Sequence, residues 1–310
     1  MTAPIPSHAQ RLVYLGTPAA AVAPLAGLLD AGFDVALVVS RADAKRGRGG
    51  ALQPSPVKAF AAEHGVPVTD QVDEVATVGA ELGVVVAYGR IIRPPVLDAV
   101  PMVNLHFSLL PRWRGAAPVE RAILAGDERT GVCLMAVEEG LDTGAVYARV
   151  ELEIDPDETA DELRRRLVEA GTALLVDQLG QGLGDPEIQV GEPTYAEKIQ
   201  PHELELDWTE PAGTIHRVVR VGGAWTTFRG KRLKIWRTRL VPDGPALASD
   251  EPTDRAGVPS LAPGQIDGLL VGTGAGVVEL VEVQPEGKSR QAASAWRNGA
   301  QPGLADRLGA

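Results

Sequence analysis

Short apolar runs alternate with helix-like segments over the N-terminal part of the chain. The runs RLVYLG (Arg11–Gly16), DVALVV (Asp34–Val39) and LGVVVA (82–87) are typical of parallel strands that are buried on both faces. An Ala- and Leu-rich stretch up to Asp30 and the segment 56–64 are predicted as helices that follow two of these strands. This alternation predicts an α/β domain with a Rossmann-like, mostly parallel sheet.

The most informative stretch reads VNLHFSLLPRWRGAAP and covers residues 103–118. Asn104 and His106 alternate with apolar residues, so their side chains are expected to project together near the end of a strand. Pro111 ends this extended run within the turn SLLP, and Pro118 marks the start of a helix. In open α/β sheets ligands lie outside the carboxyl ends of the strands. The sequence therefore predicts a binding site at Asn104 and His106.

These side chains, with Asp142 in the GLDTG segment, suit acyl transfer to a nitrogen atom. A neutral imidazole can take a proton from an amine, a carboxylate can orient that imidazole, and an amide NH₂ can donate to a developing oxyanion. The chain has no GxSxG motif, and Cys133 lies in an apolar run, which favours direct transfer over an acyl-enzyme. Ordinary structural roles remain the alternative, with His106 packed in a core and Asp142 serving a turn.

A change of composition divides the chain. Beyond residue 180 glycine, proline and scattered charges replace the periodic pattern, as expected of a linker. We predict a catalytic domain over residues 1–183, a linker over 184–206 and a small β-rich domain over 207–310. In the last of these, a helix and strands at 225–228 and 232–240 are expected.

The net charge of −11 argues against nucleic-acid binding unless the charges are segregated. They are segregated: Ser40–Lys58 carries five cations against the single acid Asp43, and Thr214–Leu240 carries eight cations and no acid. Glycines in the first segment predict a mobile cationic loop that suits a phosphate backbone. Trp225 and Trp236 lie among the cations of the second, which suits phosphate contact with stacking. A solvated basic surface is the plainer interpretation of both segments.

Several classes of protein are disfavoured by composition. A single cysteine and five histidines without HxxxH spacing predict no metal site. The first strand is followed by Gly16 but not by a GxGxxG motif, which weakens a nicotinamide-cofactor interpretation. The N-terminus lacks a signal-peptide pattern, and no run approaches the ~20 apolar residues of a membrane span. We therefore expect a cytoplasmic protein without membrane contact.

The run Asn104–Pro118, together with GLDTG at 140–144, closely resembles the 10-formyltetrahydrofolate-dependent formyltransferases. The resemblance implies that Asn104, His106 and Asp142 form the catalytic group and that 10-formyltetrahydrofolate is the cosubstrate. The fold that it implies is a Rossmann-like domain followed by a small OB-like β-barrel. The folate contacts that it implies are Tyr88, Gly89, Ser108, Leu109, Leu110 and Pro111.

The basic loop with its PSPVK segment and the second domain resemble the members of this family that act on tRNA. The resemblance then implies formyl transfer to the α-amino group of methionyl initiator tRNA, for translation initiation, by a monomer. Ala44 departs from the pattern, since the family often has an arginine there. The implied tRNA contacts are Arg41, Lys45, Arg46, Arg48, Arg229, Lys231, Arg232 and Lys234. A formyltetrahydrofolate hydrolase, a transferase for amino-sugar nucleotides and a non-catalytic RNA-binding module remain alternatives.

Overall fold

The computed structural model describes residues 4–46, 50–241, 261–303 and 305–310. Contacts divide the chain into two compact units. The first contains residues 1–122, 128–154 and 162–198, and the second contains residues 123–127, 155–161 and 199–310. The domain boundaries proposed from the sequence, at 183 and 207, stay predictions. Within the described residues, none of the helices has the length and apolar character needed to cross a membrane.

Eleven strands and five α-helices are found among the described residues up to 198. The strands are β1 (Arg11–Gly16), β2 (Asp34–Val39), β3 (Ala44–Arg46), β4 (Ala51–Gln53), β5 (Val68–Thr69), β6 (Leu82–Val86), β7 (Met102–His106), β8 (Arg114–Gly115), β9 (Arg129–Ala136), β10 (Val146–Glu153) and β11 (Tyr195–Ala196). The helices are α1 (Val22–Asp30), α2 (Pro56–Glu63), α3 (Pro94–Ala99), α4 (Pro118–Ala125) and α5 (Ala160–Gln181).

Seven of these strands form one sheet in the order β10-β9-β7-β6-β1-β2-β5. The five adjacent strands β7, β6, β1, β2 and β5 pair in parallel with one another. Strand β9 pairs antiparallel with both β7 and β10. Strand β6 is buried along its whole length, as its continuous apolar run predicts. The sheet confirms the predicted Rossmann-like, mostly parallel class and places β7 beside the antiparallel edge.

Local sequence signals explain where helix α2 begins. The Ser55 hydroxyl accepts a hydrogen bond from the backbone N–H of Lys58 at 3.0 Å, and Pro56 occupies the first helical position. For the preceding basic loop, mobility stays a prediction. Its arms, β3 and β4, pair antiparallel in a short hairpin, with Lys45 opposite Leu52. Residues 47–49, between these arms, lie outside the described residues.

The second unit is built on an antiparallel sheet. Its strands are β12 (Trp225–Phe228), β13 (Lys231–Leu240), β14 (Ile266–Asp267), β15 (Leu270–Gly272), β16 (Val277–Pro285) and β17 (Gln291–Ala292), and its helices are α6 (Ala212–Val221) and α7 (Ala293–Ala300). The strand order is β12-β13-β16-β15-β14, and β17 pairs with β16. Helix α6 buries Ile215 and Val219 in a core that also contains Trp208 and Trp296. This antiparallel unit agrees with the predicted small β domain.

Two buried polar side chains of α6 hold the segment 155–161 within this unit. The ring nitrogens of His216 lie 2.9 Å from the Thr238 hydroxyl and 3.1 Å from the carbonyl oxygen of Pro156. Arg220 donates to the carbonyl oxygen of Glu158 at 2.7 Å. Burial lowers the pKa of both His216 and Arg220. The acidic stretch that precedes α5 is thus fixed by hydrogen bonds that satisfy buried donors.

Candidate active site

Asn104 and His106 lie at the carboxyl end of β7, on the same face of the sheet, because they are two positions apart on one strand. Asn104 is opposite Met135 of β9, and His106 is opposite Cys133. The His106 side chain is buried, with 5% of its surface exposed, whereas Asn104 is half-buried. The structure therefore places this pair at the sheet edge where ligands bind in α/β folds, as predicted.

The two ring nitrogens of His106 have different partners. Nε2 lies 2.8 Å from the carbonyl oxygen of Trp113, and since a carbonyl can only accept, Nε2 carries the proton in the neutral ring. Nδ1 lies 3.5 Å from Oδ2 of Asp142. Nδ1 is therefore the nitrogen that can take up a proton, and a carboxylate beside it stabilises the imidazolium that forms.

The GLDTG loop that carries Asp142 has a tightly defined backbone. Asp142 has a φ of 51°, in the left-handed region that non-glycine residues seldom adopt. Its Oδ2 atom accepts a hydrogen bond from the backbone N–H of Gly115 at 2.7 Å. Gly144 is required because a Cβ at that position would overlap the carbonyl oxygen of Ala136 at the end of β9. The loop thus directs the carboxylate to the end of β7.

The SLLP turn continues directly from β7. The buried Ser108 hydroxyl donates to the carbonyl oxygen of Arg112 at 2.6 Å, and the N–H of Arg112 donates to the carbonyl oxygen of Leu109 at 3.1 Å. Leu110 packs in a small core with Cys133 and neighbouring apolar residues. These contacts fix the backbone of the residues predicted to contact folate.

The other residues predicted to contact folate, Tyr88 and Gly89, follow the end of β6, the parallel neighbour of β7. Tyr88 is buried, and burial raises the pKa of its hydroxyl while the nearby Arg90 acts in the opposite direction. The carbonyl oxygen of Gly89 accepts a hydrogen bond from Arg41 Nη2 at 3.1 Å. The two predicted groups of folate contacts therefore lie at the ends of adjacent strands.

Sequence reasoning missed the segment that supports the loop after the SLLP turn. The two-residue strand β11 pairs in parallel with β8. The N–H of Trp113 donates to the Thr194 hydroxyl at 2.9 Å, and the N–H of Ala116 donates to the carbonyl oxygen of Ala196 at 2.8 Å. Thr194 and Ala196 belong to the stretch 184–206, which the sequence predicts as a linker without local signs of this pairing.

The basic residues predicted on the β3–β4 loop are only partly described. Arg41 and Lys45 are exposed, and Arg41 also makes the contact to Gly89. Arg48 and the side chain of Arg46 lie outside the described part of the chain. The role of this loop in tRNA binding stays a prediction.

Cations and tryptophans interleave on the antiparallel sheet of the second unit. The Arg232 guanidinium carbon lies 4.0 Å from the ring centroid of Trp225, and Lys234 Nζ lies 5.6 Å from that of Trp236. Lys231 is exposed at the start of β13. The cations therefore cover indole faces as cation–π pairs, which leaves the positive charges at the surface.

Arg229, which was also predicted to contact tRNA, is held by the C-terminal residues. It forms a two-residue hairpin turn with Gly230, and both residues have positive φ. Its guanidinium donates to both carboxylate oxygens of Asp306, at 2.9 and 2.6 Å. This ion pair lowers the pKa of Asp306 to about 2. The pair therefore stabilises the folded protein fully at pH values above the ordinary carboxyl pKa of ~4. This stabilisation is lost as the pH falls through about 2.

We expect Arg229→Ala to lower the unfolding midpoint by about 2–4 °C at pH 7, because the ion pair with Asp306 is lost. Alanine and arginine have a similar energetic cost at positive φ, so the difference in stability between the two proteins reports the side-chain contacts of Arg229. Lys231→Ala is the matched control, since it removes an exposed cation two positions away and should leave the midpoint unchanged. An unchanged midpoint in Arg229→Ala, measured by thermal unfolding, would contradict a stabilising role of the ion pair. The predicted contact of Arg229 with tRNA stays a prediction.

Within the described ranges, no group of three or more His, Cys, Asp and Glu side chains could hold a metal ion. Asn104 and His106 share one face at the end of β7, and the Asp142 carboxylate lies 3.5 Å from His106 Nδ1, the ring nitrogen without a proton in the neutral imidazole. Such a group is equipped to move a proton beside a carbonyl carbon under attack.

Family models match most of the chain. The model described as formyl transferase matches residues 10–179, and that described as formyl transferase, C-terminal domain, matches residues 198–301. The chain belongs to the formyl transferase family. It is 42% identical to the methionyl-tRNA formyltransferase of Corynebacterium aurimucosum, over 93% of this chain and 94% of that protein. The methionyl-tRNA formyltransferase of Symbiobacterium thermophilum is 39% identical, over 93% and 92% of the two chains.

Solved structures share the fold. The N-formyltransferase from Helicobacter canadensis, in complex with folinic acid and dTDP-3-aminofucose, has a TM-score of 0.64 at 17% identity, over 87% of this chain and 98% of that chain. HypX from Aquifex aeolicus, in complex with tetrahydrofolic acid, has a TM-score of 0.61 at 16% identity, over 96% and 48% of the two chains. At these identities the similarity establishes a common fold.

Proposed function

We propose that this chain transfers the formyl group of 10-formyltetrahydrofolate to the α-amino group of methionyl initiator tRNA. The product is N-formylmethionyl-tRNA, which serves translation initiation. The observation that carries the proposal is the distance of 3.5 Å between the Asp142 carboxylate and His106 Nδ1, with Asn104 on the same face of β7 as His106. It is supported by the near full-length similarity to methionyl-tRNA formyltransferases of several bacteria. A cytoplasmic location, expected from the sequence, agrees with this substrate.

Each catalytic side chain has one task in this reaction. The amino nitrogen attacks the formyl carbon, the carbonyl oxygen gains negative charge, and the bond between that carbon and the folate nitrogen then breaks. The Asn104 amide donates to the oxyanion, which is the role that a half-buried NH₂ group at this edge can fill. His106 takes the proton of the amine at Nδ1 and returns it to the departing folate nitrogen, while Asp142 stabilises the imidazolium.

The surroundings support direct transfer. Cys133, the single cysteine of the sequence, is opposite His106 on β9 and is fully buried, and burial raises the pKa of its thiol. A buried thiol with a raised pKa is a poor nucleophile, because the thiolate is the reactive form. The SLLP turn and the Tyr88–Gly89 backbone would hold the folate beside Asn104 and His106, as the resemblance implies.

Two basic features favour tRNA over a small acceptor. Arg41, just before the β3–β4 hairpin, and Lys45 on β3 are exposed, and β13 presents Lys231, Arg232 and Lys234 along one strand. A formyltetrahydrofolate hydrolase or a transferase acting on an amino-sugar nucleotide would have little use for either feature. RNA binding through these cations should weaken as the salt concentration rises. Binding releases counterions from the phosphates, and this release is less favourable at high salt.

The proposal is tested by supplying the purified protein with 10-formyltetrahydrofolate and a panel of acceptors: methionyl initiator tRNA, the uncharged tRNA, free methionine and a dTDP-amino sugar. We expect a formylated product from methionyl initiator tRNA alone. Formylation of the amino sugar would confirm formyl transfer but would assign an amino-sugar nucleotide, in place of tRNA, as the acceptor. Folate turnover without any formylated acceptor would indicate a hydrolase, and salt-dependent RNA binding without folate turnover would indicate a binding module.

A further inference from the structure

We propose that Gln189 is a positioning residue for catalysis, which holds the Asp142 loop in place through its side-chain amide. Gln189 Nε2 donates to two backbone carbonyl oxygens, those of Asp142 and Gly144, each at 2.8 Å. Both carbonyls belong to the GLDTG loop. One amide group therefore bridges the backbone on either side of the turn that presents the Asp142 carboxylate.

The other end of the same amide is fixed as well. Arg114 donates to Gln189 Oε1 from Nε at 3.1 Å and from Nη2 at 2.7 Å. A guanidinium can only donate and a carbonyl oxygen can only accept, so the orientation of the amide is determined by its partners. The side chain thus connects Arg114, on β8, to the Asp142 loop with four hydrogen bonds.

The neighbours of Gln189 show that this contact is specific to its side chain. Ile188 and Val190 are 78% and 80% exposed, whereas Gln189 between them is half-buried. Two large apolar side chains are left in solvent while the intervening polar one reaches the loop. Residues 188–190 therefore contribute the hydrogen bonds of Gln189 to the GLDTG loop, and the apolar side chains of Ile188 and Val190 are not packed in the core.

The loop needs such a contact because its geometry is demanding. Asp142 adopts a positive φ, and its Oδ2 atom lies 3.5 Å from His106 Nδ1. Release of the two carbonyls would let the turn relax and move the carboxylate away from the imidazole. A displacement of about 1 Å at a reacting group can cost about 10²-fold in rate. The loss would fall on the chemical step, since Gln189 touches neither side chain that reacts.

This inference rests on the proposed function and is tested with the same formylation assay. We expect Gln189→Leu, which removes both ends of the bridge, to lower kcat by about 10–100-fold, with the KM for both substrates changed by less than about twofold. Gln189→Glu keeps the acceptor for Arg114 but replaces the two donors by oxygen, so it should lower kcat similarly and serves if the leucine variant folds poorly. Glu192→Gln, an exposed change in the same segment, is the matched control and should keep the wild-type kcat.

A double-mutant cycle separates positioning from a merely structural role. If Gln189 acts through Asp142, adding Gln189→Leu to Asp142→Asn should lower kcat by less than about twofold, because coupled residues are not additive. Wild-type kcat in both Gln189 variants, or full additivity with Asp142→Asn, would overturn the inference. Failure of the wild-type enzyme to formylate methionyl initiator tRNA would instead overturn the proposed function.

Discussion

Replacing Asp142 by asparagine is expected to lower kcat for formylation by about 10²–10⁴-fold while changing KM little. The substitution keeps the size of the side chain and leaves an oxygen that can accept from the N–H of Gly115. What it removes is the negative charge 3.5 Å from His106 Nδ1. A neutral amide cannot stabilise the imidazolium that forms when the attacking amine loses its proton.

Steady-state kinetics with both substrates varied would measure this effect. Glu139→Gln is a suitable control, because it neutralises an exposed acid three positions away in the same loop region and should keep the wild-type kcat. A wild-type kcat in Asp142→Asn would remove Asp142 from the catalytic group. A large rise in KM with an unchanged kcat would assign it to substrate binding.

Replacing Asn104 by alanine is expected to lower kcat by about 10²–10³-fold, the usual cost of losing one donor to an oxyanion. Asn104 is half-buried at the end of β7, on the same face as His106. The amide is needed where negative charge develops in the transition state, so binding of the ground-state substrates should change little.

Asn298→Ala is the matched control for this variant. It makes the same substitution on the exposed surface of α7 and should leave kcat and KM unchanged. Thermal unfolding of both variants would show that the fold is preserved. Equal kcat in Asn104→Ala and Asn298→Ala would exclude Asn104 as the oxyanion donor.

The central strands could be predicted from the sequence because their pattern is local. The apolar runs of β1, β2 and β6 mark buried parallel strands, and the alternation in β7 places Asn104 and His106 on one face. Asp142 could be assigned to the site only through the resemblance. No periodicity indicates that a turn aspartate will adopt a positive φ and face an imidazole far away along the chain.

The supporting contacts could not be predicted because they depend on pairing between distant segments. Strands β8 and β11 have two residues each, too few to show a period, and they are separated by some 80 positions. Gln189 lies in a stretch with no apolar pattern, and only the folded chain brings it to the GLDTG loop. Arg229 likewise reads as a free cation in the sequence, because its partner Asp306 lies 77 residues later.

The most direct test of this account is the single-turnover rate of formyl transfer from 10-formyltetrahydrofolate to methionyl initiator tRNA, for wild type and His106→Ala, with both substrates saturating. We expect the wild type to form N-formylmethionyl-tRNA and the variant to do so at least about 10²-fold more slowly, since the proton acceptor is lost. Equal rates in the two proteins would contradict the assignment of His106 and, with it, the proposed mechanism.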